Sequence, residues 1–188
     1  MIKKFEVVKN FLTPEELNIF KKYLEIKHRF NDELFDRYDN NCVARLSTKY
    51  VYDPVTESLL FCKKQKVESL TNLKLYNSYS CWRVYTKHSF LKSHTDRPPC
   101  EISLTIMIGS DGTPWPIFMD GQPVELQPGE ACLYKGTEVN HSREEFLGDW
   151  QSQIFLHYVD QNGPNVNHKL DGRTFLGQTR NLKNITIV

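Results

Sequence analysis

Between residues 75 and 160 the chain is a succession of short β-branched and aromatic runs: "YNSYSCWRVY", "EISLTIMI", "PIFM", "PVEL", "EACLYKG" and "SQIFLHYVD". Turn signals separate them, and the texture predicts an antiparallel β domain rather than helices. The Asp-Gly pair in "MDGQ" at 119–122 suits a tight hairpin, and "LQPGEACLY" places Pro-Gly just ahead of a strand. Some seven or eight short strands of this kind can close into a double-layered sandwich or jelly roll, so the predicted class is mainly β with flanking helices.

The first 74 residues read as support for that domain. "FEVVKNFL" at 5–12 looks like a strand, and "TPEELNIFKKYLEIK" follows with helix grammar. Thr13 is placed to cap, Pro14 takes the first helical position and Glu16 completes a capping box. Ile19, Phe20, Tyr23, Leu24 and Ile26 supply an apolar face at helical spacing. Residues 28–50 are polar and irregular and read as a long loop. A second helix is predicted from about Pro54 to Asn72, with Val55, Leu59, Leu60, Val67 and Leu70 on its buried side. The expected organisation is one domain over 1–188: a strand and supporting helices in 1–74, the β-sandwich core in 75–160, and a peripheral extension in 161–188 whose closing "ITIV" could add an edge strand.

Charge and cysteine content narrow the function classes. Lysine plus arginine number 24 against 23 aspartate plus glutamate, which argues against a dedicated nucleic-acid binder. No apolar run is long enough to span a bilayer, and "MIKKFEVVKNFL" reads as a strand rather than a signal peptide. The five cysteines, at 42, 62, 81, 100 and 132, fit neither a disulfide framework nor a zinc knuckle. The expected home is a reducing cytoplasm, with the thiols mostly buried as small hydrophobes.

The stretch "YTKHSFLKSHTDR" at 85–97 carries the chemistry. Residues two apart in an extended segment point the same way, so His94 and Asp96 could face one cavity with Thr95 turned away. A third metal ligand has to come from a separate strand, and His141, just after "EACLYKGTEVN", is the natural candidate. Two imidazoles and a carboxylate on one face of an octahedron are the ligands of non-haem Fe(II) oxygenases, with three positions left open. A His-x-Asp tripeptide is also a common surface turn, and these three residues alone leave both readings standing.

"VYTKHSFLKSHTD" resembles the Tyr-x-x-Gly-x-Phe-x-x-x-His-x-Asp stretch of the 2-oxoglutarate and Fe(II)-dependent oxygenases, in their prolyl 4-hydroxylase-like branch. "LQPGEACLYKGTEVNH" resembles the Pro-Gly turn, strand and distal histidine of that branch, and "SQIFLHYVD" its closing strand. The resemblance implies a double-stranded β-helix (jelly roll, cupin-like), with His94, Asp96 and His141 as both metal ligands and catalytic residues. It implies Fe(II), 2-oxoglutarate and O2 as cofactors, and hydroxylation of an unactivated C–H bond with release of succinate and CO2.

Two departures from the pattern bear on the site. His88 stands where the family has glycine, and reads as a surface residue or a support to the ligands. The family also places Arg or Lys about ten residues past the distal histidine, to pair with the far carboxylate of 2-oxoglutarate; here Gln151 or Gln153 occupies that place. Another cation then has to substitute. Arg143, two residues after His141, is the first candidate, Arg83 the second and Lys135 the third. Tyr85, and more weakly Thr105, could add hydroxyl contacts to the cosubstrate.

The branch suggests a prolyl residue in a peptide or protein as substrate, and a small molecule fits as well. Trp82, Tyr134 and Trp115 could line a groove or belong to the core, and "GSDGTPWPIF" at 109–118 could form a mobile lip. Two rivals remain at this level: a non-catalytic β-sandwich binding module, favoured by the missing cation, and a cupin-type metal-dependent hydrolase or isomerase using the same ligands. The sequence does not fix the oligomeric state.

Overall fold

The computed structural model describes residues 3–30, 35–36 and 44–178. Its elements run β1 (Phe5–Val8), α1 (Pro14–Phe30), β2 (Phe35–Asp36), β3 (Ala44–Val51), α2 (Pro54–Thr71), β4 (Leu75–His94), β5 (Ile102–Ser110), β6 (Ile117–Met119), β7 (Gln122–Val124), β8 (Ala131–Lys135), β9 (His141–Arg143) and β10 (Trp150–Asp160).

Both helices start where their caps dictate. Thr13 Oγ1 accepts from the Glu16 amide at 3.2 Å while Glu16 accepts from the Thr13 amide at 2.8 Å. Asp53 caps α2 through the Val55 and Thr56 amides, and Asn72 ends that helix in a left-handed conformation.

The strands order as β1-β8-β5-β10-β4-β9-β6-β7, with β3 also on β4 and β2 on β3. The bend lies in β4. Its first part pairs with β10 from Leu75 to Thr86, and its last part pairs with β9 at Leu91 and His94. One strand therefore passes from the larger layer into the smaller one and folds the sheet over on itself, as a jelly roll requires.

Strand periodicity separates two environments in the larger layer. Leu104, Ile106, Ile108, Leu133, Ile154, Leu156, Trp82 and Val84 pack against Phe20 and Leu24 of α1 and Leu59, Leu60 and Val67 of α2. Fully burying each such side chain contributes about 1.5–3 kcal/mol. The alternate positions, Ser103, Thr105, Arg83, Gln153 and His157, are equally buried but polar, and face the space between the layers. The hairpin expected at "MDGQ" joins β6 to β7, with positive φ at Asp120 (48°) and Gly121 (81°).

Several expectations change. β1 stops at Val8, because Asn10 turns the chain with φ 50°, and Phe11 and Leu12 drop into the core instead of extending the strand. The segment read as a loop over 28–50 holds the last turn of α1 and the strand β3; 31–34 and 37–43 lie outside the described residues. Ile19 and Ile26 point outward, 62% and 50% exposed, so α1 buries a narrower face than its spacing suggests. Leu70 of α2 is likewise on the exposed side. Ten strands are present among the described residues, more than the turn signals delimit, and "ITIV" lies outside the described residues.

The described part of the extension, 161–178, is tied in rather than peripheral. Arg173 donates to both carboxylate oxygens of Glu57 at 2.9 and 2.7 Å, and both side chains are 1% exposed. Arg97 meets both oxygens of Asp171 at 2.7 and 2.9 Å, and Tyr52 donates to the same carboxylate at 2.8 Å. Among the described residues no helix is long and apolar enough to cross a membrane.

Candidate metal centre

β4 ends on His94, directly opposite His141, the first residue of β9. This cross-strand pairing sets the two rings with centroids 4.3 Å apart. Asp96 follows beyond the strand end, held by its own amide donating to the Gly136 carbonyl at 2.8 Å. Its Oδ1 lies 3.8 Å from His94 Nε2 and 3.7 Å from His141 Nε2, and the three ligand atoms fall within 4.8 Å of one another. The expectation that Thr95 turns away from a continuous strand is not met: the strand is over by then, and Thr95 borders the cavity as well.

Local hydrogen bonds fix the tautomers of both imidazoles. His94 Nδ1 lies 2.7 Å from the Lys92 carbonyl and His141 Nδ1 lies 3.1 Å from the Val139 carbonyl. A carbonyl can only accept, so each Nδ1 carries the proton and each Nε2 presents its lone pair toward Asp96. Burial pushes the His141 pKa down to about 4, with the nearby His94 adding to the effect, so this ring is neutral at pH 7. Burial also raises Asp96 to about 6, against the opposing influence of His94, Tyr134 and Ser103. A buried carboxylate with that burden gains from a bound cation.

The groups around Asp96 were not singled out by the sequence as its supports. The Tyr134 hydroxyl, on β8, donates to the carboxylate, and its ring sits edge-on to His141 at 5.0 Å. Ser103 Oγ lies 3.4 Å from Asp96 Oδ2, donates to the Cys100 carbonyl at 2.8 Å, and meets His157 Nδ1 at 2.8 Å. Gly136 makes the close approach possible: a Cβ there would fall 2.0 Å from the Cys100 carbonyl oxygen and 2.7 Å from Asp96 Oδ2. For Ser103 and His157 the signal available in the sequence was alternation, since both sit at polar positions of strands whose other face is apolar; Tyr134 shares its face with Cys132 in an apolar cluster and offered no such signal.

The cavity around the triad measures about 320 Å³. Arg143 reaches it from β9, two residues after His141 and on the same face, and is 5% exposed. Its guanidinium stacks over the Trp115 ring at 4.5 Å and donates to the Trp115 carbonyl. With the Gln153 amide oxygen turned toward it, Arg143 also donates to Gln153 at 3.3 Å, while the amide nitrogen donates to Thr105 Oγ1 at 2.9 Å and the Ile106 carbonyl at 3.1 Å. Burial lowers the Arg143 pKa to about 10, partly offset by Tyr85, Cys132 and Tyr134, and the side chain stays charged at neutral pH.

Tyr85 and Arg83, on the inward face of β4, line the same cavity. Tyr85 is 1% exposed and packs edge-on against Trp115 at 5.0 Å; Arg83 donates to Ser47 Oγ at 2.6 Å. Gln153 and Thr105 bond to each other outside the cavity wall, where they brace Arg143. Lys135 pairs with Glu138 at 3.1 Å away from the cavity. His88 takes φ 68°, the left-handed conformation that glycine adopts most readily, and its Nδ1 meets Glu145 at the surface, 2.5 Å away. Trp82 faces the helices, stacked on Tyr50 at 4.2 Å, and does not reach the site. Trp115 is buried and donates to the Glu144 carbonyl at 2.8 Å, so the 109–118 segment is anchored at that point.

No family model and no curated protein matches the chain. Solved structures do. A Pseudomonas putida prolyl-4-hydroxylase is 16% identical, with a TM-score of 0.63, covering 84% of this chain and 92% of that one. The viral collagen prolyl hydroxylase of Paramecium Bursaria Chlorella virus-1, in its 2-oxoglutarate complex, is 12% identical with a TM-score of 0.61, covering 83% and 96%. HygX from Streptomyces hygroscopicus, with nickel, 2-oxoglutarate and hygromycin B bound, is 13% identical with a TM-score of 0.63, covering 85% and 84%. The fold is therefore the double-stranded β-helix that these 2-oxoglutarate oxygenase structures share.

Proposed function

We propose that this chain is a single-domain Fe(II) and 2-oxoglutarate-dependent dioxygenase that hydroxylates an unactivated C–H bond. The observation that carries the reading is the convergence of His94 Nε2, His141 Nε2 and an Asp96 oxygen within 4.8 Å inside a jelly-roll cavity. The donor set fits ferrous iron: two neutral nitrogens and one carboxylate, with no cysteine among them. When bound there, iron and 2-oxoglutarate supply the oxidising chemistry with O2, leaving succinate and CO2 as co-products.

The chain's own residues hold and aim. The Lys92 and Val139 carbonyls fix the two imidazole tautomers, and the Tyr134 hydroxyl holds the Asp96 carboxylate. Arg143 provides the buried cation that the glutamines at 151 and 153 do not, reaching in from β9 instead of β10. A charge-assisted contact of about 1.5–3 kcal/mol is available to the far carboxylate of the cosubstrate there. Tyr85 can add its hydroxyl at the same end, and Trp115 keeps water from the guanidinium's other face.

Two of the similar structures are prolyl hydroxylases and the third holds hygromycin B, so a prolyl side chain in a peptide and a small molecule both fit the reading. Cys81, Cys100 and Cys132 are buried and outside any disulfide, which suits a reducing compartment. The deciding test is anaerobic addition of Fe(II) and then 2-oxoglutarate. The oxygenase develops a visible metal-to-ligand charge-transfer band, and succinate appears once O2 is admitted. Without the band the chain is a binding module; turnover of a substrate without O2 or 2-oxoglutarate makes it a hydrolase or isomerase.

A further inference from the structure

Among the described residues, a second trio of metal-ligating side chains borders the same cavity. One ligand atom each of Asp96, Cys100 and His157 lies within 4.8 Å of the other two, the bound that also holds for His94, Asp96 and His141. Separate segments bring them together. Cys100 closes the single helical turn Pro98–Cys100 that follows Asp96, and His157 comes from β10, directly opposite Ser103 on β5. The two trios have only Asp96 in common.

Asp96 can serve both. Its Oδ1 is the oxygen that faces His94 and His141, at 3.8 and 3.7 Å. Its Oδ2 is turned toward Ser103 at 3.4 Å, and Ser103 donates to the Cys100 carbonyl and meets His157 Nδ1, each at 2.8 Å. The other two ligands have hydrogen-bonding partners of the kind that orient metal ligands. Tyr79 Oη lies 3.1 Å from Cys100 Sγ, and a thiolate there could only accept from it. Ser103 steadies the His157 ring at Nδ1, and the Tyr79 ring packs on that imidazole at 4.4 Å. Cys100 and His157 are both buried, and the cavity beside them leaves room for a further ligand.

We propose that Asp96, Cys100 and His157 form a second metal site, one that takes Zn(II) and is joined to the first through the Asp96 carboxylate. The donor set decides the ion. Sulfur, imidazole nitrogen and one carboxylate oxygen suit a softer metal than the nitrogen and oxygen ligands of the first trio. Three protein ligands with a further position open to the cavity are the pattern of an accessible zinc site. Cys100 is then a ligand, not one of the small hydrophobes expected of the buried thiols. The inference goes beyond the oxygenase reading and can be tested without it.

Cobalt(II) is the probe, because a thiolate ligand gives it an intense near-ultraviolet charge-transfer band. Cys62 is exposed and Cys42 lies outside the described residues, so the parent protein for the test carries Cys42→Ser and Cys62→Ser. Anaerobic cobalt titration of that parent should develop the band, and zinc should abolish it by displacement. Cys100→Ser and His157→Gln should each remove the band and weaken zinc by more than the roughly 10–100-fold that loss of an outer partner costs. Cys81→Ser, which changes the other thiol bordering the cavity, should keep the band, as should His94→Ala and His141→Ala. X-ray absorption at the zinc edge of His94→Ala, where Cys100 is intact, should show one sulfur neighbour at about 2.3 Å. A parent without the band, a band that survives Cys100→Ser or is lost in Cys81→Ser, or zinc without a sulfur neighbour overturns the proposal. A Cys100-dependent band in a protein that gives no charge-transfer band with Fe(II) and 2-oxoglutarate keeps this site and removes the oxygenase reading. The opposite pair of results keeps the oxygenase and removes this site.

Discussion

His94 and His141 face each other across the β4–β9 pairing, with their ring centroids 4.3 Å apart. The last residue of one strand and the first of another thus meet at the point where the sheet crosses between layers. The juxtaposition of the two imidazoles is a product of strand register, and a slip of one residue would turn one imidazole to the opposite face.

Removal of either ring should therefore abolish tight metal binding. Outer partners of metal ligands already change affinity by about 10–100-fold, so His94→Ala and His141→Ala should each exceed that. Anaerobic Fe(II) or Co(II) titration checks it, with circular dichroism to confirm the fold. Wild-type metal affinity in both variants would dismantle the proposed centre.

Tyr134→Phe isolates the hydroxyl that donates to Asp96. Metal affinity should fall about 10–100-fold, because the carboxylate loses the contact that orients it. Ring packing on His141 is kept, so the melting temperature should change much less than in Tyr134→Ala.

Arg143→Gln should raise the 2-oxoglutarate requirement about 10–100-fold, the equivalent of roughly 1.5–3 kcal/mol, with little change in metal affinity. Lys135→Gln is the control, since Lys135 pairs with Glu138 outside the cavity. Steady-state succinate formation as a function of 2-oxoglutarate reads both. Equal effects of the two variants would remove Arg143 from the role.

Gly136→Ala should disrupt the turn that holds Asp96, because the added carbon would lie 2.0 Å from the Cys100 carbonyl oxygen. A cost of about 1–3 kcal/mol and loss of metal binding are expected, read by denaturant unfolding and metal titration. A variant as stable and as metal-competent as the wild type would show that the turn is not needed.

Glu57→Gln leaves Arg173 charged and buried without its carboxylate, which should cost about 3–5 kcal/mol. The double change Glu57→Leu with Arg173→Met should recover much of that loss, since it removes both charges. Chemical denaturation of the three proteins decides whether the pair acts as this geometry requires.

Much of this was legible in the sequence because the signals are local. The cap at Thr13, the end of α2 near Asn72, the Asp-Gly hairpin at 120–121 and the His94-x-Asp96 spacing depend on few neighbours. What the sequence withheld depends on distant contacts. β3 is polar and reads as loop, yet it is a strand because β4 offers it an edge. Tyr134, Ser103 and His157 become site residues only once three strands lie side by side. Ile19 and Ile26 sit at helical spacing, but α1 meets the sheet along only part of that face.

Arg97 follows Asp96 immediately, and Asp171 grips it from a segment seventy-odd positions downstream. Anyone trimming the protein to a minimal β unit after Asp160 would cut away the anchor beside the Asp96 carboxylate. Such a fragment would misreport the chemistry of the whole, and expression tags or fusions are better placed at the other terminus.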